Sequence, residues 1–229
     1  MRPRVLVACE RSGIVREAFR AAGCDAWSCD VEPAEDGSAF HLQCSAEDAL
    51  ALVYDPSEER YDWRTGRRDA APWALLVAHP PYTYLCSSGL HWNVRRPGRE
   101  AETARALAFA RFLLDAPVPR VCVENPVGRI GTAIRPADQY VQPWQFGHDA
   151  SKRTGLWLRG LPRLVATGPV IAPRMVAGRP RWGNQTDSGQ NRLGPSERRA
   201  MERARTYPGI ARAMAAQWAP LLKGAKHGG

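Results

Sequence analysis

The run Trp73-Ala74-Leu75-Leu76-Val77-Ala78 is continuous and apolar, and it stops at His79 and two consecutive prolines, Pro80 and Pro81. An unbroken apolar run of this length is the pattern of a strand buried on both faces, as in a parallel sheet covered by helices. Proline has no N–H with which to continue a ladder and holds its predecessor out of helical space. The strand must therefore end in an extended, rigid turn. In open α/β sheets the loop just past a strand's carboxyl end is where ligands bind. Taken alone, the Pro80-Pro81-Tyr82 corner is either such a binding wall or a stiff loop without chemistry.

The rest of the chain repeats the pattern. Val5-Leu6-Val7-Ala8-Cys9 reads as a central strand and Gly13–Ala22 as a helix closed by Gly23. Asp25–Cys29 reads as a second strand ending in Asp30-Val31-Glu32-Pro33. Strand, helix and strand in about 30 residues make a βαβ unit. A brief extended piece is expected within 34–44, a short helix over Ala46–Val53, and a polar surface excursion over Tyr54–Ala71. Glu100–Asp115 has amphipathic helical spacing, Val121-Cys122-Val123 is another buried strand, and Tyr140–Trp144 with Thr154–Leu158 form a last pair. Alternating strands and helices predict the α/β class, a Rossmann-like doubly wound and mostly parallel sheet. Residues 173–196 are rich in Arg, Gly, Asn and Gln and cannot bury a core of their own, so they form either an ordered functional loop or a flexible linker. Ile210, Met214 and Trp218 recur at helical spacing and predict terminal helices that pack back on the sheet.

Composition narrows the partners. The chain has 229 residues, 32 Lys+Arg against 23 Asp+Glu, and a net charge of +9, with arginine the dominant cation. Genome composition explains arginine over lysine but not the net charge, and nucleic acid is the favoured partner. Six scattered cysteines without a Cys-x-x-Cys pair, and five dispersed histidines, argue for buried thiols in a reducing compartment and against a metal site. No stretch has the roughly 18 apolar residues of a membrane span.

Three groups of strand ends carry candidate chemistry. The first offers Cys9, Glu10, Arg11, Ser12 and Gly13 at the start of a helix. The second offers Asp30, Val31 and Glu32, whose carboxylates suit two ribose hydroxyls. The third places His79, Pro80, Pro81 and Tyr82 beside Glu124, Asn125 and Pro126.

This ordered set resembles the cytosine-C5 DNA methyltransferases, more closely the compact ones carried by phages and prophages. The resemblance also takes in Gln142-Pro143-Trp144-Gln145-Phe146-Gly147-His148 and Arg205-Thr206-Tyr207-Pro208-Gly209-Ile210-Ala211. It implies a sheet of the S-adenosyl-methionine-dependent methyltransferase type. Cys9, Glu10, Ser12, Gly13, Asp30, Val31 and Glu32 would then bind S-adenosyl-methionine, and His79, Pro80, Pro81, Tyr82, Glu124 and Asn125 would face the base. Phe146 or Trp144 either lines that pocket or belongs to the core. In the family the Pro-Pro corner presents a cysteine that adds to C6, while the glutamate holds N3. This chain has Tyr82 there, and a phenol is a poor Michaelis donor near neutrality. Pro-Pro-Tyr also resembles the methyltransferases of exocyclic amines, in which the nitrogen attacks the methyl group directly. Cys86 is either an alternative thiol or a core residue, and Glu47 or Asp48 would replace the usual third cofactor contact.

The resemblance implies a catalytic domain over 1–172, a reduced recognition region over 173–196, C-terminal helices over 197–222 and a flexible tail over 223–229. Arg174, Arg179, Arg181 and Arg192 would meet phosphates, and Asn184, Gln185, Gln190 and Asn191 base edges. The expected protein is a monomeric DNA cytosine methyltransferase (C5 or N4), cytoplasmic, or in the host cytoplasm if phage-encoded, with low specificity or a partner protein that supplies it. The alternatives are a catalytically inactive, protective DNA-binding protein and a modifier of RNA or free nucleotides.

Overall fold

In the computed structural model, residues 2–51, 73–87, 95–194, 202–203 and 205–222 are described. The Tyr54–Ala71 excursion, the 223–229 tail and nearly all of 196–204 lie outside them.

Seven strands form one sheet: β1 (Arg4–Ala8), β2 (Asp25–Asp30), β3 (His41–Gln43), β4 (Trp73–Ala78), β5 (Val121–Pro126), β6 (Gln139–Val141) and β7 (Thr154–Arg159). Their order is β3-β2-β1-β4-β5-β7-β6. The first five run parallel, whereas β7 is antiparallel to both β5 and β6. The α-helices that lie wholly within the described residues are α1 (Ile14–Ala21), α2 (Ala46–Ala51), α3 (Arg99–Asp115), α4 (Arg129–Ala133) and α5 (Pro208–Leu222). The fold is the α/β, Rossmann-like, doubly wound and mostly parallel one that the sequence predicts.

The unbroken apolar runs have a simple cause. Successive side chains of a strand point to opposite faces, and here each face has its own core. Val5, Val7, Leu75, Val77 and Cys122 pack under Phe19 of α1 and Ile210, Met214 and Trp218 of α5. Leu6, Ala8, Leu76, Ala78, Val121 and Val123 pack under α2 and under Leu113 and Leu114 of α3. Both residue sets are thus excluded from water, so neither can be polar.

Several elements differ from expectation. β5 continues through Glu124, Asn125 and Pro126, so these residues stand on the strand and not past it. Tyr140–Trp144 is not one strand: Pro143 ends the ladder, and Pro143–Phe146 is a 3-10 turn closed by a reciprocal cap between Gln142 and Gln145. The 173–196 region contains a hairpin, β8 (Arg174–Val176) and β9 (Arg179–Arg181), turned at Ala177 and Gly178, which both have positive φ. Among the described residues no helix is long and apolar enough to cross a membrane, and no cluster of His, Cys, Asp and Glu is arranged to hold a metal.

Candidate functional site

The strand order reverses between β1 and β4, where the chain leaves β1 for β2 on one side and later returns to β4 on the other. Such a switch point opens a crevice at the strands' carboxyl ends. A cavity of about 290 Å3 lies there, lined by residues following β1, β2 and β4, by the end of β5, and by Lys152, Arg205 and Thr206.

Parallel register builds its base-facing wall. Ala78 of β4 pairs with Val123 of β5, so the next residues, His79 and Glu124, stand side by side. His79 Nδ1 lies 2.7 Å from Glu124 Oε2; Glu124 is buried and His79 nearly so. Asn125 Nδ2 donates to the Pro80 carbonyl at 2.7 Å, fixing the proline corner to β5. Two buried polar atoms on this wall lack a protein partner, His79 Nε2 and Asn125 Oδ1. Buried polar atoms are normally paired, so this pair of orphans marks a place for a ligand's hydrogen-bonding groups. A close approach further on adds to the lock: Arg129 N–H donates to the Leu85 carbonyl at 2.7 Å beside Gly128. A Cβ on Gly128 would meet that carbonyl oxygen at 1.9 Å, so only glycine allows the two corners to touch.

Electrostatics separates two carboxyl groups. Burial pushes the Glu124 carboxyl up, but the His79 hydrogen bond and the charges of Lys152 and His79 outweigh it, leaving Glu124 below its ordinary range and ionised at neutral pH. Burial raises Glu10, and the opposing influence of His79 and of the Val15 and Arg16 N–H groups does not cancel it. Burial lowers Lys152 despite the nearby Glu124 charge.

At the opposite end of the cavity, Glu10 occupies the N-terminus of α1. Its two oxygens accept the N–H groups of Val15 at 2.7 Å and Arg16 at 3.1 Å. Gly13 has φ +70, and the space over its Cα is filled by the Arg16 guanidinium, which pairs with Asp36 and donates to Ser28 at 2.9 Å. Asp30 borders the cavity, as do Glu35 and Arg205, which form an ion pair across its mouth. Cys9, the thiol on the wall, is pushed up to about 12 by burial and then by Asp30 and Glu47, so it stays protonated.

Of the residues expected from sequence to meet cofactor or base, Cys9, Glu10, Ser12, Asp30, His79, Pro80, Pro81, Tyr82, Glu124 and Asn125 line this one cavity. Gly13, Val31 and Glu32 do not; Val31 is exposed, and Glu32 uses its N–H to bind the Asp30 carboxylate. Phe146 belongs to the core, and Trp144 stacks on Trp182. Lys152 and Glu35 have no counterpart among the expected residues, since a basic residue before a strand and an acid in a polar loop carry no distinguishing signal; Arg205 and Thr206 open the Arg205–Ala211 stretch quoted for the resemblance.

The residues expected to read nucleic acid hold their own segment together. Arg174 pairs with Asp187 at 2.5 Å, Arg181 donates to the Asp187 carbonyl at 3.0 Å, and Arg192 to the Gln185 carbonyl at 2.9 Å. Asn184 clamps the Ser151 backbone at both N–H and carbonyl, Gln185 bonds Trp182 N–H and the Gly189 carbonyl, and Asn191 caps Leu193. Gln190 and Arg179 are exposed.

No protein-family model matches the chain, and no curated protein matches it. Solved structures do. One, described as a DNA modification methyltransferase encoded within an E. coli prophage, aligns with TM-score 0.44 and 12% identity over 68% of this chain and 46% of its own. S. pombe Dnmt2 methyltransferase aligns with TM-score 0.39 and 15% identity over 71% of this chain and 51% of its own. The Entamoeba histolytica methyltransferase EhMeth aligns with TM-score 0.42 and 14% identity over 74% of this chain and 58% of its own. The chain thus spans about half the length of the structures it matches. Scores this low, at such identities, leave the chemistry to be read from the cavity itself.

Proposed function

We propose that the chain is an S-adenosyl-methionine-dependent methyltransferase that acts on a base of DNA, with the exocyclic N4 amine of cytosine as the methyl acceptor. The observation that carries this reading is the wall on which an ionised Glu124, bonded to His79, stands beside the orphaned His79 Nε2 and Asn125 Oδ1.

The cofactor end discriminates among cofactor classes. A dinucleotide places its pyrophosphate on the N–H groups of the first helix. Here Glu10 takes those groups, leaving none for a phosphate. A phosphate-free, positively charged cofactor fits: Asp30 would accept its ribose hydroxyls and offset its charge. When bound, it would supply a methyl group on a sulfonium sulfur, which an amine can take as the sulfur leaves as a neutral thioether.

The protein's residues then have distinct tasks. Tyr82 gives the base a ring to lie against. Asn125 Oδ1 and the Pro80 carbonyl accept the amine's hydrogens and so orient the nitrogen lone pair. The Glu124–His79 pair receives the proton that the alkylated nitrogen sheds. Addition of a thiolate at C6, which a C5 product requires, has no support among the described residues of this cavity, because its thiol is Cys9 and stays protonated. The internal ties of the 174–192 module leave few groups for base edges, which supports low intrinsic sequence specificity or a partner that supplies it.

Nucleoside mass spectrometry on DNA incubated with protein and cofactor tests the assignment. N4-methylcytosine that disappears in His79→Ala supports it; 5-methylcytosine, or no modified nucleoside, overturns it. One observation favours a second reading, a protective DNA-binding protein without catalysis. Arg16 and Asp36 fill the space over Gly13 that a glycine loop usually keeps open. Absence of S-adenosyl-methionine binding in calorimetry would select that reading.

A further inference from the structure

A second cavity of about 360 Å3 adjoins the first, with Tyr82, Pro126 and Lys152 forming the common wall. It opens between the proline corner, the segment before β7 and the 182–193 module. We propose that this second cavity holds single-stranded polynucleotide, so that the substrate is a strand presented without its complement; the proposal rests on the methyltransferase reading above.

Three observations carry it. The cavity is cationic: Lys152, Arg153 and Arg203 face it with Glu202 the single acid among its lining residues. Tyr82 and Tyr207 are among its lining residues, and a basic groove with aromatic residues is the recurring design of single-strand sites. The groups around it are also poorly suited to reading a duplex. Asn184 spends its amide on the Ser151 backbone, Gln185 and Asn191 spend theirs on the module's own, and Arg174, Arg181 and Arg192 are turned onto Asp187 and Gln185. The hairpin that would enter a major groove is three residues per strand, about 10 Å long.

The arrangement also gives a route. A strand lying in the second cavity would have one base step past Tyr82 into the first, beside Glu124. An enzyme acting on duplex must first unpair and extrude its target base, at the cost of stacking and pairing. A single strand has no such requirement.

Fluorescence anisotropy with a cytosine-containing 12-mer tests this, comparing single-stranded DNA, single-stranded RNA and duplex DNA of one sequence across a salt series. Either single strand should bind at least ~10-fold tighter than duplex, and Arg153→Ala should flatten the log–log salt slope by about 0.7, the share of one phosphate contact. Arg153 is exposed and stacks on Tyr140, so its removal leaves the fold and the cofactor end intact. Equal or tighter binding of duplex overturns the proposal, as does failure to bind any of the three. Calorimetry with S-adenosyl-methionine on the same preparation separates the claims. Cofactor binding with duplex preference refutes the single-strand site alone; strand preference without cofactor binding refutes the methyltransferase reading.

Discussion

Replacing Glu124 by glutamine keeps the size and one acceptor oxygen but removes a buried charge that two neighbours use. The His79–Glu124 bond is 2.7 Å long, with the two side chains 10% and 8% exposed. A charge-assisted hydrogen bond contributes about 1.5–3 kcal/mol, and a neutral one about 1, so the bond itself loses ~1–2 kcal/mol. Lys152, half-buried and bonded to the Arg205 carbonyl, loses a nearby opposite charge as well, bringing the total to ~2–3 kcal/mol. With a urea slope of about 2–3 kcal/mol per molar, the unfolding midpoint should fall by ~1 M at pH 7. The pH dependence identifies the cause. Because Glu124 is held below its unfolded value, its contribution is complete above that value, about 4.3, and is lost as pH falls through the lower folded one. The gap between wild type and Glu124→Gln must therefore be full at pH 7 and close in the acid range. Urea denaturation followed by circular dichroism at pH 7, 5 and 3 measures it. A gap that is absent at pH 7, or equally large at pH 3, would refute the ionised pair and with it the proton acceptor assigned to the site.

Two further substitutions probe the ends of the fold. Gly13→Ala places an L residue at φ +70, about 1 kcal/mol or more, with a Cβ 2.2 Å from Arg16 Nη2; a loss of at least ~2 kcal/mol in urea is expected, and an unchanged midpoint would contradict the packed cradle. His148 Nε2 accepts the Gly209 N–H of α5 at 2.8 Å, and burial with Arg212 nearby holds its imidazole below the ordinary range, so the cap works in full above about pH 6.5 and fails as pH falls through the lower folded value. The stability gap to His148→Ala should shrink between pH 7 and 5; a gap that widens would mean that the cap needs the charged ring.

Legibility followed burial. β1, β4 and β5 were readable because each is covered on both faces, and a strand with no solvent side is apolar at every position. β3 and β6 have three residues each, too short to show any period. The β8–β9 turn places Ala177 at φ 46 and Gly178 at φ 73, a two-residue loop of left-handed conformations. Such loops announce themselves as Asn-Gly or Asp-Gly, and alanine in the first place hides the hairpin.

The site was legible as corners and illegible as pairs, and register is the reason. His79 and Glu124 are 45 residues apart, and nothing in either segment says which residue of β4 stands beside which residue of β5. In a hairpin the turn sets register; two parallel strands joined through α3 have no such link, and only packing chooses. The 174–192 module shows the converse case. Its arginines and amides read as reagents for nucleic acid because they are many and near one another. A segment with so few apolar residues has no core to hold its shape, so its order must come from polar bonds, and Arg174, Asn184 and Arg192 are used for that first. Composition alone cannot separate polar groups that recognise a ligand from polar groups that replace a missing core. The separation needs their partners. Those partners move the candidate strand-binding cations away from the hairpin to Lys152, Arg153 and Arg203, beside Tyr82.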